Sequence, residues 1–261
     1  MTDRLVSVVT ISLDDSKGLR RTLESVLRQA HPAIEHIVVD GGSGPEVEAL
    51  LAQYPHLSHW ESRPDGGRYD AMNAGLARAT GDLVWFLHSG DTFSTPDAVS
   101  IVCAAFDGTR DWWAHGTARL VDAAGNSHGT MGQSDFRLER FILGGRPIPH
   151  QATVFSRRLF EDIGDHSLTH GLAADQEFMV RAARRRPPEF IDAVLCDFDI
   201  SGAGSTRGVH PHFADMRRAV HAVMPMPMAQ RLRYLVLSHA VEARAHLALT
   251  RHRCRGRKRR A

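Results

Sequence analysis

The feature that most constrains this chain is an alternation in its first 110 residues. Short β-branched runs of strand length trade places with segments whose apolar residues recur at helical spacing. Such alternation predicts an α/β fold built on a mostly parallel sheet with helical crossovers. Leu5-Val6-Ser7-Val8-Val9-Thr10-Ile11 reads as the first strand, and Ser16 as the cap of a helix carrying Leu19, Leu23, Val26 and Leu27. Ile34 to Val39 and Leu57 to Glu61 are the next strands, with a short helix from Pro45 to Tyr54 between them. A helix from about Tyr69 to Ala79 stops at Gly81, Leu83 to Leu87 is the fourth strand, and Pro96 to Phe106 is again helical.

Beyond residue 110 the pattern loosens. A hairpin turns at Ala124-Gly125-Asn126. Then follow a helix from Phe136 to Leu143, a strand from Gln151 to Phe155, a helix from Leu172 to Arg184 and a strand from Phe190 to Phe198. Helices from Phe213 to Val223 and Met228 to Leu249 close the chain. This reading divides it into one domain over 1–223, with halves 1–110 and 111–223, then a helix over 224–250 and a basic tail over 251–261.

Composition narrows the function. Of 261 residues, 43% are hydrophobic and 24% charged, as in globular proteins, and no uncharged apolar run reaches the length of a spanning helix. Met1-Thr2-Asp3-Arg4 runs straight into a strand without a signal-peptide layout. Cys103, Cys196 and Cys254 are odd in number and far apart, which excludes a disulfide framework and a zinc ribbon and implies a cytoplasmic protein. The net charge is +2, but residues 251–261 hold seven basic and no acidic side chains, leaving −5 on residues 1–250. The basic character belongs to a tail, so no nucleic-acid-binding face is expected on the fold. All but Lys17 and Lys258 of the 32 basic residues are arginine, which reads as a genome bias.

In parallel α/β sheets ligands bind beyond the C-terminal ends of strands. Asp40, Asp65 and Asp91 follow the second, third and fourth strands, each beside glycine. Any one of them is explained by turn chemistry; three at successive strand ends point to a site. Asp40-Gly41-Gly42-Ser43-Gly44 lacks the G-x-G-x-x-G spacing of a dinucleotide fingerprint, which disfavours a nicotinamide enzyme. A sugar-nucleotide pyrophosphorylase is disfavoured too, because no glycine-rich basic loop follows the first strand.

Six segments, in order, resemble a known family: Val6-Ser7-Val8-Val9-Thr10; Ile37-Val38-Val39-Asp40-Gly41-Gly42-Ser43; Asp65-Gly66-Gly67-Arg68-Tyr69-Asp70-Ala71-Met72-Asn73-Ala74-Gly75; Ala79-Thr80-Gly81-Asp82 leading to Asp91; His150-Gln151-Ala152-Thr153; and Ala173-Ala174-Asp175-Gln176-Glu177-Phe178. Over roughly residues 5–205 the chain resembles an inverting family 2 glycosyltransferase of GT-A type, similar to bacterial cell-envelope polysaccharide and glycolipid glycosyltransferases.

That resemblance implies a GT-A fold, a nucleotide-sugar donor bound by the first half, and a hydroxyl acceptor, a glycan or glycolipid, met by the second. Asp40 would accept from the nucleobase. Thr10, Ser12, Asp65, Asp70, Asn73 and Ser89 would complete the donor pocket. For Asp70 and Asn73 the structural alternative is helix N-terminal capping. Asp91 matches the last acid of the D-x-D motif, implying a divalent cation, Mn²⁺ or Mg²⁺; His88, Ser89 and Gly90 stand where further acids often occur. Asp175 matches the catalytic base, with Glu177 the second choice. His150, Gln151 and Ser205, the last in a Gly202-Ala203-Gly204-Ser205 loop, would serve the acceptor side.

The other expectation from a different class is a non-catalytic sugar-nucleotide or glycan-binding domain of the same fold. His210-Pro211-His212 reads as a surface loop. Leu232, Leu235, Val236, Ala243 and Leu247 form an apolar stripe before the basic run, which suits either docking on the core or contact with anionic lipid at the inner face of the membrane.

Overall fold

A computed structural model describes residues 4–145, 147–201 and 209–258. Strand β1 (Val6–Ser12) is flanked in parallel by β2 (Ile34–Asp40) and β4 (Leu83–Phe86), and β2 by β3 (Leu57–Ser62). Helices α1 (Ser16–Leu27), α2 (Pro45–Leu51) and α3 (Arg68–Leu76) make the crossovers. The parallel order stops at β4. There β8 (Thr153–Ser156) pairs antiparallel, followed by β6 (Trp113–Val121), β9 (Glu189–Asp199) and the two-residue β5 (Thr92–Phe93). The hairpin partner β7 (Ser127–Met131) joins β6. The sheet is therefore parallel in its first half and mixed in its second, where the alternation of the sequence loosens.

Every residue of β1 is buried, because helices cover both faces. Val9 and Ile11 enter the core shared with α3 and α7 (Ala174–Arg185), while Val6 and Val8 pack on the other face with Val26 of α1 and Val99 of α4 (Ala98–Ala105). This is the period of two that a strand imposes. Gly75 lets α3 lie close on β1, since a Cβ there would meet the Val9 Cγ1 at 2.4 Å.

Several local expectations change. Asp15, not Ser16, caps α1, its carboxylate accepting from Gly18 N at 2.9 Å. The short α5 spans only Leu138–Phe141, and α6 (Arg157–Ile163), which the sequence pattern does not announce, follows β8 directly. His210-Pro211-His212 lies in the first turn of α8 (Val209–Val223) rather than in a loop. Helix α9 runs unbroken over Met228–Lys258, so residue 250 ends no element and most of the basic run continues the helix. Tyr234 and Leu235 face the core, and an Arg217–Glu242 ion pair at 2.8 Å ties α9 to α8. Leu232, Val236 and Leu247 are more than half exposed.

Candidate active site

The parallel register carries strand ends to one edge, setting Ser12 beside Asp40 and Asp40 beside Ser62. Asp40 is fully buried and accepts from Gly42 N (3.2 Å), Ser43 N (2.8 Å), Ser43 Oγ (2.5 Å) and Ser62 Oγ (2.7 Å). These bonds hold the turn after β2 and tie it to β3, while Oδ1 accepts from the Ser43 hydroxyl alone. Thr10 is likewise interior, its hydroxyl 3.0 Å from His36 Nε2. Ser12, at the strand end, keeps a buried hydroxyl with no hydrogen-bond partner among the described residues.

The turn into α3 is also internally bonded. Asp65 Oδ1 accepts from Gly67 N at 2.7 Å and Asp70 Oδ2 from Gly66 N at 2.9 Å; α3 itself starts at Gly67 without a side-chain cap. Asn73 binds the His166 backbone in both directions. Ser89 Oγ donates to Asp15 Oδ2 at 2.7 Å, steadying the start of α1. These four side chains position the site's loops.

Asp91 closes the turn after β4. Gly90 has φ +94°, a left-handed conformation in which an acidic residue would be strained, which accounts for glycine there. Asp91 is 3% exposed, and its Oδ1 accepts from Asp199 N at 2.9 Å. Burial raises its pKa well above the carboxylate range and the Asp199 carboxylate adds to this, while the Asp199 N–H, the Gln151 side chain and Arg68 oppose it. His88 and His150 flank this turn with ring centroids 5.6 Å apart, and His166 lies 5.8 Å from His150. Burial holds all three imidazoles neutral, His150 with a pKa lowered to about 3.

Among the described residues no three His, Cys, Asp or Glu side chains group into a metal cage. Asp91 nevertheless fits one kind of ion. It is a buried carboxylate with no ion pair among the described residues, and Mg²⁺-like cations are commonly held by one or two carboxylates plus substrate phosphates.

Asp175 occupies the first turn of α7, half-buried, with Oδ1 accepting from Gln176 N at 2.8 Å. Burial raises its pKa to about 6, against the opposing pull of the Gln176 N–H, Arg68 and the Tyr69 hydroxyl. Glu177 is buried and bound through both oxygens by Arg181, at 2.7 and 3.0 Å, which commits it to structure. Ser205 lies outside the described residues.

The sequence reading missed Arg68 and Tyr69. The positive charge of Arg68 lowers the pKa of Asp91, His88, His150 and Asp175 alike. The available signal was their place in the helix start Gly67-Arg68-Tyr69-Asp70, directly after a strand-end turn.

Comparison with known proteins identifies the family. The sequence profile described as Glycosyl transferase family 2 matches residues 7–164. A glycosyltransferase of Mycobacterium tuberculosis is 47% identical over 218 residues, covering 82% of each chain. A PGL/p-HBAD biosynthesis glycosyltransferase of the same species is 33% identical over 185 residues, 68% of this chain and 69% of that one. Among solved structures, S. aureus TarS 1-349 in complex with UDP-GlcNAc superposes with a TM-score of 0.67 at 19% identity, over 88% of this chain and 70% of that one. The mannosyltransferase PcManGT from Pyrobaculum calidifontis, in complex with GDP-Man and Mn²⁺, gives 0.64 at 16% identity, over 94% and 76%. These two likenesses establish a shared GT-A fold. With a family profile over more than half its length and a close relative over most of it, the chain belongs to Glycosyl transferase family 2.

Proposed function

We propose that this glycosyltransferase inverts the anomeric centre, moving one hexosyl or deoxyhexosyl unit from a nucleoside-diphosphate sugar to a hydroxyl of a cell-envelope glycan or glycolipid. The observation that carries the reading is Asp175, half-buried in the cleft that also holds Asp91, with a pKa raised to about 6. A general base is most effective when its pKa lies near the working pH. At neutral pH this carboxylate is ionised yet more basic than an exposed aspartate.

In the proposed step the acceptor oxygen attacks the anomeric carbon as Asp175 takes its proton, and the bond to the diphosphate oxygen breaks. A single displacement from the opposite face inverts the configuration. Asp91 would hold a divalent cation against the diphosphate. Such a cation supplies charge neutralisation for the leaving group. Ser12 offers the donor its unpartnered hydroxyl, and Gln151 keeps the Asp91 carboxylate in place.

The relative named for PGL/p-HBAD biosynthesis supports an envelope glycolipid as acceptor. The exposed apolar side chains of α9 and the basic run over residues 251–261 support peripheral contact with an anionic membrane surface. The test is a panel of UDP-, GDP- and dTDP-sugars with and without Mn²⁺, following thermal shift and acceptor-dependent release of nucleoside diphosphate. A stabilising donor released as diphosphate, with an inverted product anomer by NMR, is the expected result. Binding with no turnover on any envelope acceptor would favour the non-catalytic domain.

A further inference from the structure

We infer that the cavity between α8 and α9 seats the headgroup phosphate of an anionic membrane lipid. The inference deepens the membrane contact proposed above and rests on it. The cavity measures about 290 Å³, and its lining joins Arg217, Arg218 and Arg231 to the apolar Met226, Tyr234 and Leu235, with no acid among them. The two helices contain only two acids, Asp215 and Glu242, and both are buried. Arg218 pairs with Asp215, and Arg217 with Glu242 at 2.8 Å. No acid is therefore left exposed on either helix. Arg231 differs from the other two arginines. It is exposed, and among the described residues its side chain has no ion pair and no hydrogen bond. The cavity thus holds two guanidiniums positioned by carboxylates and a third whose charge is unanswered. The planar donor fork of arginine matches phosphate oxygens.

An apolar ridge beside the cavity makes the occupant a lipid. Met228, Leu232 and Val236 recur at every fourth position of α9 and are 69%, 57% and 68% exposed. Arg231 and Leu235, which line the cavity, form the neighbouring ridge at the same spacing. Helices that lie at a membrane interface combine these features, with cations at the headgroups and apolar side chains at the acyl boundary. A free phosphate would leave the apolar ridge in water. A second copy of the chain would bring two positive faces together, with no exposed acid on either to answer them. The volume is at the small end of ligand pockets, which suits a headgroup, and the acyl chains would lie along the ridge.

The test measures sedimentation of the full-length protein with vesicles of equimolar phosphatidylglycerol and phosphatidylcholine, and of phosphatidylcholine alone. Wild type is compared with Arg231→Gln, Arg233→Gln and Ala214→Phe. Arg233 is an exposed α9 arginine outside the cavity, and Ala214 lines the cavity, so phenylalanine there fills it while every charge is kept. Salt is held at about 0.15 M, where diffuse attraction is screened over about 8 Å. The expected result is a loss of anionic-vesicle affinity of about tenfold or more in Arg231→Gln and in Ala214→Phe, and of less than about threefold in Arg233→Gln. Soluble dihexanoyl phosphatidylglycerol should also bind wild type by calorimetry, more tightly than inorganic phosphate does. Equal losses in Arg231→Gln and Arg233→Gln would overturn the proposal, as would unchanged binding by a folded Ala214→Phe. Should Ala214→Phe fail to fold, the two exposed arginines decide the question alone. Inorganic phosphate binding as tightly as the soluble lipid would make this a free-phosphate site, and equal binding to phosphatidylcholine would assign the contact to the apolar ridge. Either result overturns the lipid assignment and leaves the membrane or glycosyltransferase reading standing. Absence of vesicle binding by wild type would remove the membrane reading, and this proposal with it.

Discussion

Asn73 grips the backbone of His166 from both sides. Its Nδ2–H donates to the His166 carbonyl at 2.9 Å, and its Oδ1 accepts from the His166 N–H at 3.1 Å. The His166 ring is sandwiched between Tyr69 of α3, at 5.9 Å, and Phe178 of α7, at 4.8 Å. This contact fixes the helix that carries Arg68 and Tyr69 against the one that carries Asp175. Asn73 thereby contributes to the site by registering its two halves.

Asn73→Ala should therefore act on stability and chemistry more than on donor binding. It strips partners from a backbone N–H and a carbonyl, a loss of about 1–3 kcal/mol when such groups stay buried. The expected outcome is a lower melting temperature and a fall in kcat, with donor Kd within about threefold of wild type by calorimetry. A large loss of donor affinity in a fully stable variant would return Asn73 to the donor pocket.

For Asp91 the informative substitution is asparagine. Asp91→Asn keeps an oxygen to accept the Asp199 N–H and removes the charge, whereas Asp91→Ala also orphans that N–H. Both should abolish the Mn²⁺-dependent part of donor binding while folding, and only the alanine variant should melt markedly earlier. Unchanged metal-dependent affinity in the asparagine variant would remove Asp91 from the cation site.

Asp175→Asn should reduce kcat by on the order of 10²–10⁴-fold with donor affinity retained. Near-normal turnover would reassign the base. The raised pKa adds a signed expectation. Because the folded state holds its proton up to about pH 6 and the unfolded chain only to about pH 4, this group stabilises the fold less as pH rises through that window. The asparagine variant should be the more stable protein at pH 7.5, with the advantage shrinking toward pH 4 in thermal melts.

The same value predicts a rate profile. The base must be ionised, so kcat/KM should fall as pH drops below about 6. The Tyr69 hydroxyl favours the ionised carboxylate, so Tyr69→Phe should move the acid limb to higher pH. An unmoved limb in that variant would assign the ionisation to another group.

Truncation after Thr250 should leave donor binding intact and reduce sedimentation with anionic vesicles. The seven basic side chains it removes sit on a chain whose remainder carries −5. Full-length binding should also weaken with salt, since such attraction is screened over roughly 10 Å at 0.1 M. Equal vesicle binding by both forms would leave the exposed Leu232, Val236 and Leu247 of α9 as the membrane contact.

Much of this was legible in one dimension. The β-branched runs of β1, β2 and β4 give the parallel core, because residues buried on both faces leave continuous apolar strands. The motif spacings placed Asp91 at a strand-end turn and Asp175 at a helix start, and the structure has both there. Less legible were β5 and α6. β5 exists only through pairing with a strand 103 positions later, Phe93 with Cys196, and α6 is a short helix without a side-chain cap.

What the sequence determined alone is the α/β architecture and the motifs of the family, since periodicity and motif spacing are local properties. What only the tertiary structure decided is which partner each polar side chain meets. Asp40, Asp70, Asn73, Ser89 and Glu177 share the composition of a binding site, yet each is engaged by a partner 3, 4, 93, 74 or 4 residues away. Among the described residues Arg68 has no such partner. Hydrogen-bond capacity is finite, and whether a loop consumes it or leaves it for a ligand depends on neighbours that chain order does not reveal.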